Sequence, residues 1–153
     1  SVDTLDYRTL LSKTKTLKPD GIYFPMIPPA NAIFLKQAKQ LGLKSAFLTG
    51  DAFIQDSIIE AGEAANGVYF TNHYADESYN LSTRYVGKFK TQPVDISLVA
   101  FGYDGVMKIA DALQTSNSGV ILDGLNQIFG PNRSAERQEK IFKVQNGKPV
   151  LVN

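Results

Sequence analysis

The chain has 153 residues, 43% of them hydrophobic and 20% charged, with 16 basic against 15 acidic side chains and a net charge of +1. That length suits one ordinary domain with an independent core, and scattered lysines such as Lys13, Lys18, Lys36 and Lys44 form no stripe that would hold nucleic acid. With no cysteine there are no disulfides, no thiol chemistry and no cysteine metal site, and no run reaches the roughly 18 apolar residues of a membrane span.

Helices and strands alternate along the chain, the pattern of an α/β domain built on a mostly parallel sheet. Asp6 is placed to cap a helix whose apolar positions Tyr7, Leu10, Leu11, Thr14 and Leu17 fall on one face. Pro19 ends it. Ile22, Tyr23 and Phe24 form a short buried strand, and Pro25, Pro28 and Pro29 force an irregular loop after it. The next helix is expected to bury Ala30, Ile33, Phe34, Ala38 and Leu41, with Lys36, Gln37, Lys39 and Gln40 on its wet face. Gly42 suits the left-handed position at its end. Ala46 to Leu48 is the second strand, Asp56 caps a short helix through Ile58, Ile59 and Ala61, and Gly67 turns into a third strand from Val68 to Thr71.

A polar loop then runs from Asn72 to Asn80. Asn80 or Ser82 opens a helix with Tyr85, Val86 and Phe89 inward. A long helix from Ile96 to Leu113 follows, its stripe formed by Val99, Tyr103, Val106, Ile109, Ala110 and Leu113. A shorter helix holds Ile121, Leu122, Leu125 and Ile128, and a polar connection spans Gly130 to Lys140. Ile141 to Val144 and Val150 to Val152 read as strands joined at Asn146-Gly147, a strong hairpin signal. The triplets Asn80-Leu81-Ser82 and Asn132-Arg133-Ser134 match the glycosylation sequon, which matters only in a eukaryotic secretory setting.

The order of these words resembles the second lobe of the type I periplasmic binding proteins, above all the branched-chain amino-acid receptors of ABC importers. The words are Asp6, Pro19-Asp20, Gly42-Leu43-Lys44, Ala61 to Gly67, Ala100 to Gly105, and Lys143 to Lys148. The resemblance implies a three-layer α/β sandwich in which residues 1–153 form a single domain, a fragment comprising most of the second lobe plus hinge-proximal helices. It implies a substrate-binding component that closes on an amino acid or similar small carboxylate between two lobes and then docks on a membrane permease. The location it implies is periplasmic or extracellular, with the signal peptide outside this chain. A lobe lacking its first strand exposes a sheet edge, so a homodimer through that edge is expected.

In this family the second lobe presents ligand-binding loops beyond the carboxyl ends of its strands, as open α/β sheets do generally. Asp51 stands where amino-acid receptors place an acidic residue for the ligand's ammonium group; its alternative is a turn-capping aspartate. Phe53 is a candidate pocket wall, and equally a core residue. Ile27 and Pro28 occupy a position that is aromatic or polar in the amino-acid receptors. Their apolar character widens the ligand class to a hydrophobic amino acid, a short fatty acid or an aromatic acid, while Met26 and Ile27 also suit plain packing of the loop. His73, the only histidine, is a candidate polar contact or an ordinary surface residue. Asp104 is a candidate hinge contact, and Tyr103 belongs to the apolar stripe.

No phosphate-binding glycine loop, zinc-binding HExxH or serine elbow is present, so no cofactor and no enzymatic activity is expected. A sensor domain of the same fold, in a receptor or regulator, is the alternative. A flavodoxin-like α/β enzyme is a third reading, and it lacks both a cofactor loop and a convergent acid and base.

Overall fold

The computed structural model describes residues 5–73, 80–93, 95–115 and 139–152. The chain divides into two compact units, residues 1–73 with 139–153, and residues 74–138. In the first, helix α1 (Arg8–Leu17) precedes strand β1 (Gly21–Tyr23), and α2 (Ala30–Gln40) leads to β2 (Ala46–Thr49). Helix α3 (Gln55–Ala61) and a 3-10 turn (Gly62–Ala65) lead to β3 (Tyr69–His73). Strands β4 (Glu139–Gln145) and β5 (Lys148–Leu151) complete a five-stranded sheet in the order β1-β2-β3-β4-β5. The first three strands run parallel, and β4 and β5 pair antiparallel. This is the expected α/β class.

The parallel half follows from its connections. Each parallel pair needs a crossover, and α2 and α3 supply the two that are present. The β4–β5 turn is different: Asn146 at φ 52° and Gly147 at φ 73° are both left-handed, the geometry a two-residue hairpin demands. Gly147 N–H also donates to the Asn66 carboxamide oxygen at 3.0 Å, tying the hairpin to the turn that enters β3.

Side chains alternate across the sheet, and α1, α2 and α3 cover one face. Ile22, Phe47, Phe70, Phe142 and Val144 point to that side and meet Leu11, Phe34, Leu35, Ala38, Ile58 and Ala61. Phe24 lies at the centre of this core. Its ring stacks on Phe34 at 5.2 Å between centroids and meets Phe47 and Phe53 edge-on at 6.0 and 6.3 Å. On the other face a row runs through paired positions from Tyr23 to Leu48, Tyr69, Lys143 and Val150. Tyr23 is 66% exposed and Leu48 41%. The expectation that all of Ile22 to Phe24 is buried therefore holds for Phe24, whereas Ile22 is half-buried and Tyr23 is turned outward by the period-two alternation. The ammonium of Lys143 sits 4.8 Å above the Tyr69 ring on the same face.

Several local expectations shift by a residue or a face. Asp6 stands one position before the N-cap of α1, yet its carboxylate accepts the Arg8 N–H at 3.0 Å and so satisfies a first-turn donor. Leu10 and Leu17 of the expected stripe are exposed, and Tyr7 and Leu11 make the contact with the core. Gln37, expected on the wet face, is buried because its carboxamide accepts from Tyr7 N–H at 2.6 Å and donates to Leu5 C=O at 2.9 Å, fixing the approach to α1. Gly42 takes φ 69°, as its place after α2 requires. Asp56 lies in the first turn of α3 without capping it, where its charge still favours the helix dipole.

The second unit contains α4 (Leu81–Phe89) and α5 (Ile96–Thr115). Asn80 is the N-cap of α4 and adopts a left-handed conformation. Arg84 spans from α4 to Tyr103 of α5, its guanidinium 5.2 Å from the ring centroid. Along α5 Ser97, Ala100 and Ala112 are buried; of the expected stripe Val99, Tyr103 and Ala110 are half-buried, whereas Val106, Ile109 and Leu113 are exposed. The expected helix at 121–128 and the connection from 130 to 138 lie outside the described residues.

At the surface, Lys39 of α2 and Glu63 of the 3-10 turn pair at 2.8 Å. The hydrogen bond from Lys39, and then its charge, hold the Glu63 carboxyl below the ordinary carboxylate range. A depressed folded pKa means that this pair favours the fold above the unfolded pKa, and that the contribution fades as pH falls through the folded value. Side-chain carboxyl NMR is expected to show the Glu63 midpoint returning to the usual range in Lys39→Met.

Candidate functional site

Because β1, β2 and β3 run parallel, their carboxyl ends share one edge of the sheet. Neighbouring strands lie about 4.8 Å apart, so three consecutive strand ends span roughly 10 Å, the scale of a small amphipathic molecule. The segment after β1 holds Phe24 to Pro29, the segment after β2 holds Gly50 to Ile54, and β3 ends at His73.

In the first segment Phe24 is buried and Ile27 is 69% exposed, with Pro28 also exposed. Phe24 N–H still pairs with Leu48 C=O at 2.9 Å, so the loop departs from a strand end that is held. The Pro28–Pro29 peptide is cis. The two expected apolar contacts, Ile27 and Pro28, thus stand in solvent at the edge.

In the second segment Asp51 is exposed at the tip of a turn that Phe53 N–H closes onto Gly50 C=O at 3.2 Å. Phe53, the candidate wall, is 0% exposed and packs edge-on against Phe70 at 5.6 Å as well as against Phe24. It braces the turn from beneath and presents no surface at the edge. His73 is half-buried, its N–H bonded to the Asn72 side-chain oxygen at 2.7 Å and its Nδ1 shut off from solvent. The rest of the loop beyond it, residues 74–79, lies outside the described residues.

Two residues join this edge that the sequence reading left out. Glu139 is the antiparallel partner of His73, which brings an exposed carboxylate beside the end of β3. Glu139 and Lys140 are both charged, so no apolar alternation in the sequence carries β4 back to them. Tyr23 is the second. A Cβ built on Gly50 would stand 3.9 Å from its hydroxyl, so the phenol lies beside the Gly50–Asp51 turn. The edge therefore combines the carboxylates of Asp51 and Glu139 with an apolar flank at Ile27 and Pro28, a set suited to a cation on an apolar body.

At the other end of the strands a groove of about 330 Å³ is lined by Leu35, Leu43, Phe47, Lys39, Lys44 and Glu63 among others. Its rim is occupied by the Lys39–Glu63 pair. Among the described residues no group of three histidine, aspartate or glutamate side chains is gathered as a metal site would need.

Comparison with known proteins adds the following. A family profile described as periplasmic binding protein matches residues 1–126. No curated protein sequence matches at a significant level. Among solved structures, a leucine binding protein from Thermotoga maritima is similar at 26% identity and TM-score 0.83, over 99% of this chain and 49% of that one. The branched-chain amino acid transporter substrate binding protein of Streptococcus pneumoniae, solved with isoleucine, matches at 22% identity and TM-score 0.80 over 98% and 49%. A solute binding protein from R. palustris, solved with benzoate, matches at 16% identity and TM-score 0.76 over 98% and 47%. The chain thus spans about half the length of the solved structures it matches.

Asp51 and Phe53 separate cleanly in stability. Asp51→Ala is expected to leave the unfolding free energy within about 0.5 kcal/mol of the parent, and Phe53→Ala to lower it by about 3–5 kcal/mol. Equilibrium denaturation of the two variants checks both.

Proposed function

From the premise that this chain belongs to the periplasmic binding protein family, we propose that it is part of the substrate-binding component of an ABC importer. On this reading residues 1–153 supply most of the second ligand-binding lobe with hinge-proximal helices, and a companion lobe completes the cleft. The protein works in the periplasm or outside the cell, where the lobes close on the ligand and the closed form docks on a membrane permease.

The observation that carries this reading is the placement of Asp51 and the Ile27–Pro28 loop on one edge, with Glu139 and Tyr23 beside them. A free carboxylate at a strand end receives an ammonium group in a charge-assisted bond, which strengthens as closure removes water. The apolar loop faces the remainder of the ligand. Two carboxylates at the edge favour an α-amino acid with an apolar side chain over an aromatic acid, which carries no cation. His73 lies one strand from Asp51 and serves as a polar contact. Phe53 contributes by holding the Asp51 turn from below.

Isothermal calorimetry on the full-length protein tests this with L-leucine, L-isoleucine and benzoate. Binding of the amino acids is expected, with Asp51→Ala weakening it by about 1.5–3 kcal/mol. Unchanged affinity in that variant removes Asp51 from the site, and benzoate binding in preference to both amino acids reverses the assignment of ligand class.

The outer edge of β1 has no strand partner among the described residues, and by the same reading a second copy of this 153-residue chain pairs along it. Sedimentation equilibrium is expected to show a dimer at high concentration; a clean monomer there disproves it.

A further inference from the structure

The loops that carry Ile27 and Asp51 leave adjacent strands; the β1–β2 ladder ends at Phe24 and Leu48, and β2 pairs with β3 as far as Thr49. Past that point buried side chains take over. Thr49 Oγ1 donates to Phe24 C=O at 2.9 Å, joining the two loops where they leave the sheet. Farther along, Asn31 Nδ2 donates to Ser57 Oγ at 3.0 Å, with Met26 C=O at 3.4 Å from the same nitrogen. Asn31 is in the first turn of α2, which follows the first loop, and Ser57 is in the first turn of α3, which follows the second. The two bonds thus close a ring: one couples the roots of the loops, and the other couples the helices that receive them.

These groups are sealed. Asn31 is 0% exposed, Ser57 1% and Thr49 5%. The amide is oriented by its own oxygen, which accepts Ala32 N–H at 2.7 Å. A fully buried carboxamide gains little as packing, and it is retained at low cost only because its polar atoms are met. The Phe24–Phe53 ring contact also joins the two loops, but it is non-directional packing at their roots; these hydrogen bonds supply the directional link between them.

We propose that Asn31 and Ser57 are a positioning pair that sets the distance between the apolar flank at Ile27 and Pro28 and the carboxylate of Asp51. The pair touches no ligand. It acts by holding the two loops in one arrangement before binding, so that ligand affinity is not spent on ordering them. This rests on the reading of that edge as the ligand site.

The test uses the full-length protein with Ser57→Ala, Asn31→Ala and the double variant. Hydrogen exchange of the unliganded protein is expected to accelerate together in peptides covering 24–31 and 50–57 in either single variant. Calorimetric affinity for L-isoleucine is expected to fall about threefold to tenfold in each single variant, with the double variant no weaker than the weaker single, because the pair is one unit. Should Asn31→Ala not fold, Ser57→Ala, which removes a single oxygen, carries both readouts.

Unchanged exchange in both loops overturns the proposal. So does a lowered denaturation midpoint with affinity and loop exchange both intact, which is what plain core packing would give. Failure of the parent protein to bind L-leucine, L-isoleucine and benzoate defeats the functional reading separately. In that case loop exchange alone decides the pair: joint acceleration supports its hold on the two loops, and independent or absent change refutes it.

Discussion

The ring of Phe24 sits just past the end of β1, stacked on Phe34 and flanked edge-on by Phe47 and Phe53. Those four side chains come from a strand, from a helix and from both loops at the carboxyl edge, so a single cluster fixes the helix layer against the sheet and sets the height of the loops above it. Aromatic rings bury a large area and add a geometric preference of about 0.5–1.5 kcal/mol per pair. Both Asp51 and Ile27 stand within three residues of a ring in this cluster. Their exposure at the edge is possible because the residues next to them are anchored so firmly.

Charge at the edge is arranged by topology rather than by proximity in sequence. The parallel strands bring Asp51 and His73 to the same side, and the switch to antiparallel pairing brings Glu139 to face His73. A wholly parallel sheet would have sent the start of β4 to the opposite end. The change of direction after β3 therefore brings a second carboxylate to this edge.

Much of the frame was legible because short-range chemistry dictated it. Gly42 and the Asn146-Gly147 pair occupy left-handed backbone that few other residues adopt, and both turns lie where the sequence places them. Phe24, Phe34 and Ala38 are buried as their spacing indicates. What failed to show depends on long-range partners. Gln37 and Asn31 look like solvent-facing residues until Tyr7, Leu5 and Ser57 are brought to them. Tyr23 looks like a core residue until the sheet is seen to carry these helices on one face. At the candidate edge, the placement of Asp51, Ile27 and Pro28 in loops that follow strands was legible. Glu139 was not, since a strand start cannot be read to the residue, and Phe53 resolved to the core alternative.

The pairing of His73 with Glu139 has a further consequence. The chain leaves the sheet unit after His73 and re-enters it at Glu139, on strands that are already neighbours. Everything from 74 to 138 is, in topological terms, an excursion from a single hairpin whose mouth is closed by ladder hydrogen bonds. The mouth is held by five registered pairs, from Tyr69 with Lys143 to His73 with Glu139. The register of β3 on β4 is thus written in the two strands themselves. The same junction offers a natural insertion point for a reporter domain, which would hang from the sheet by two adjacent tethers.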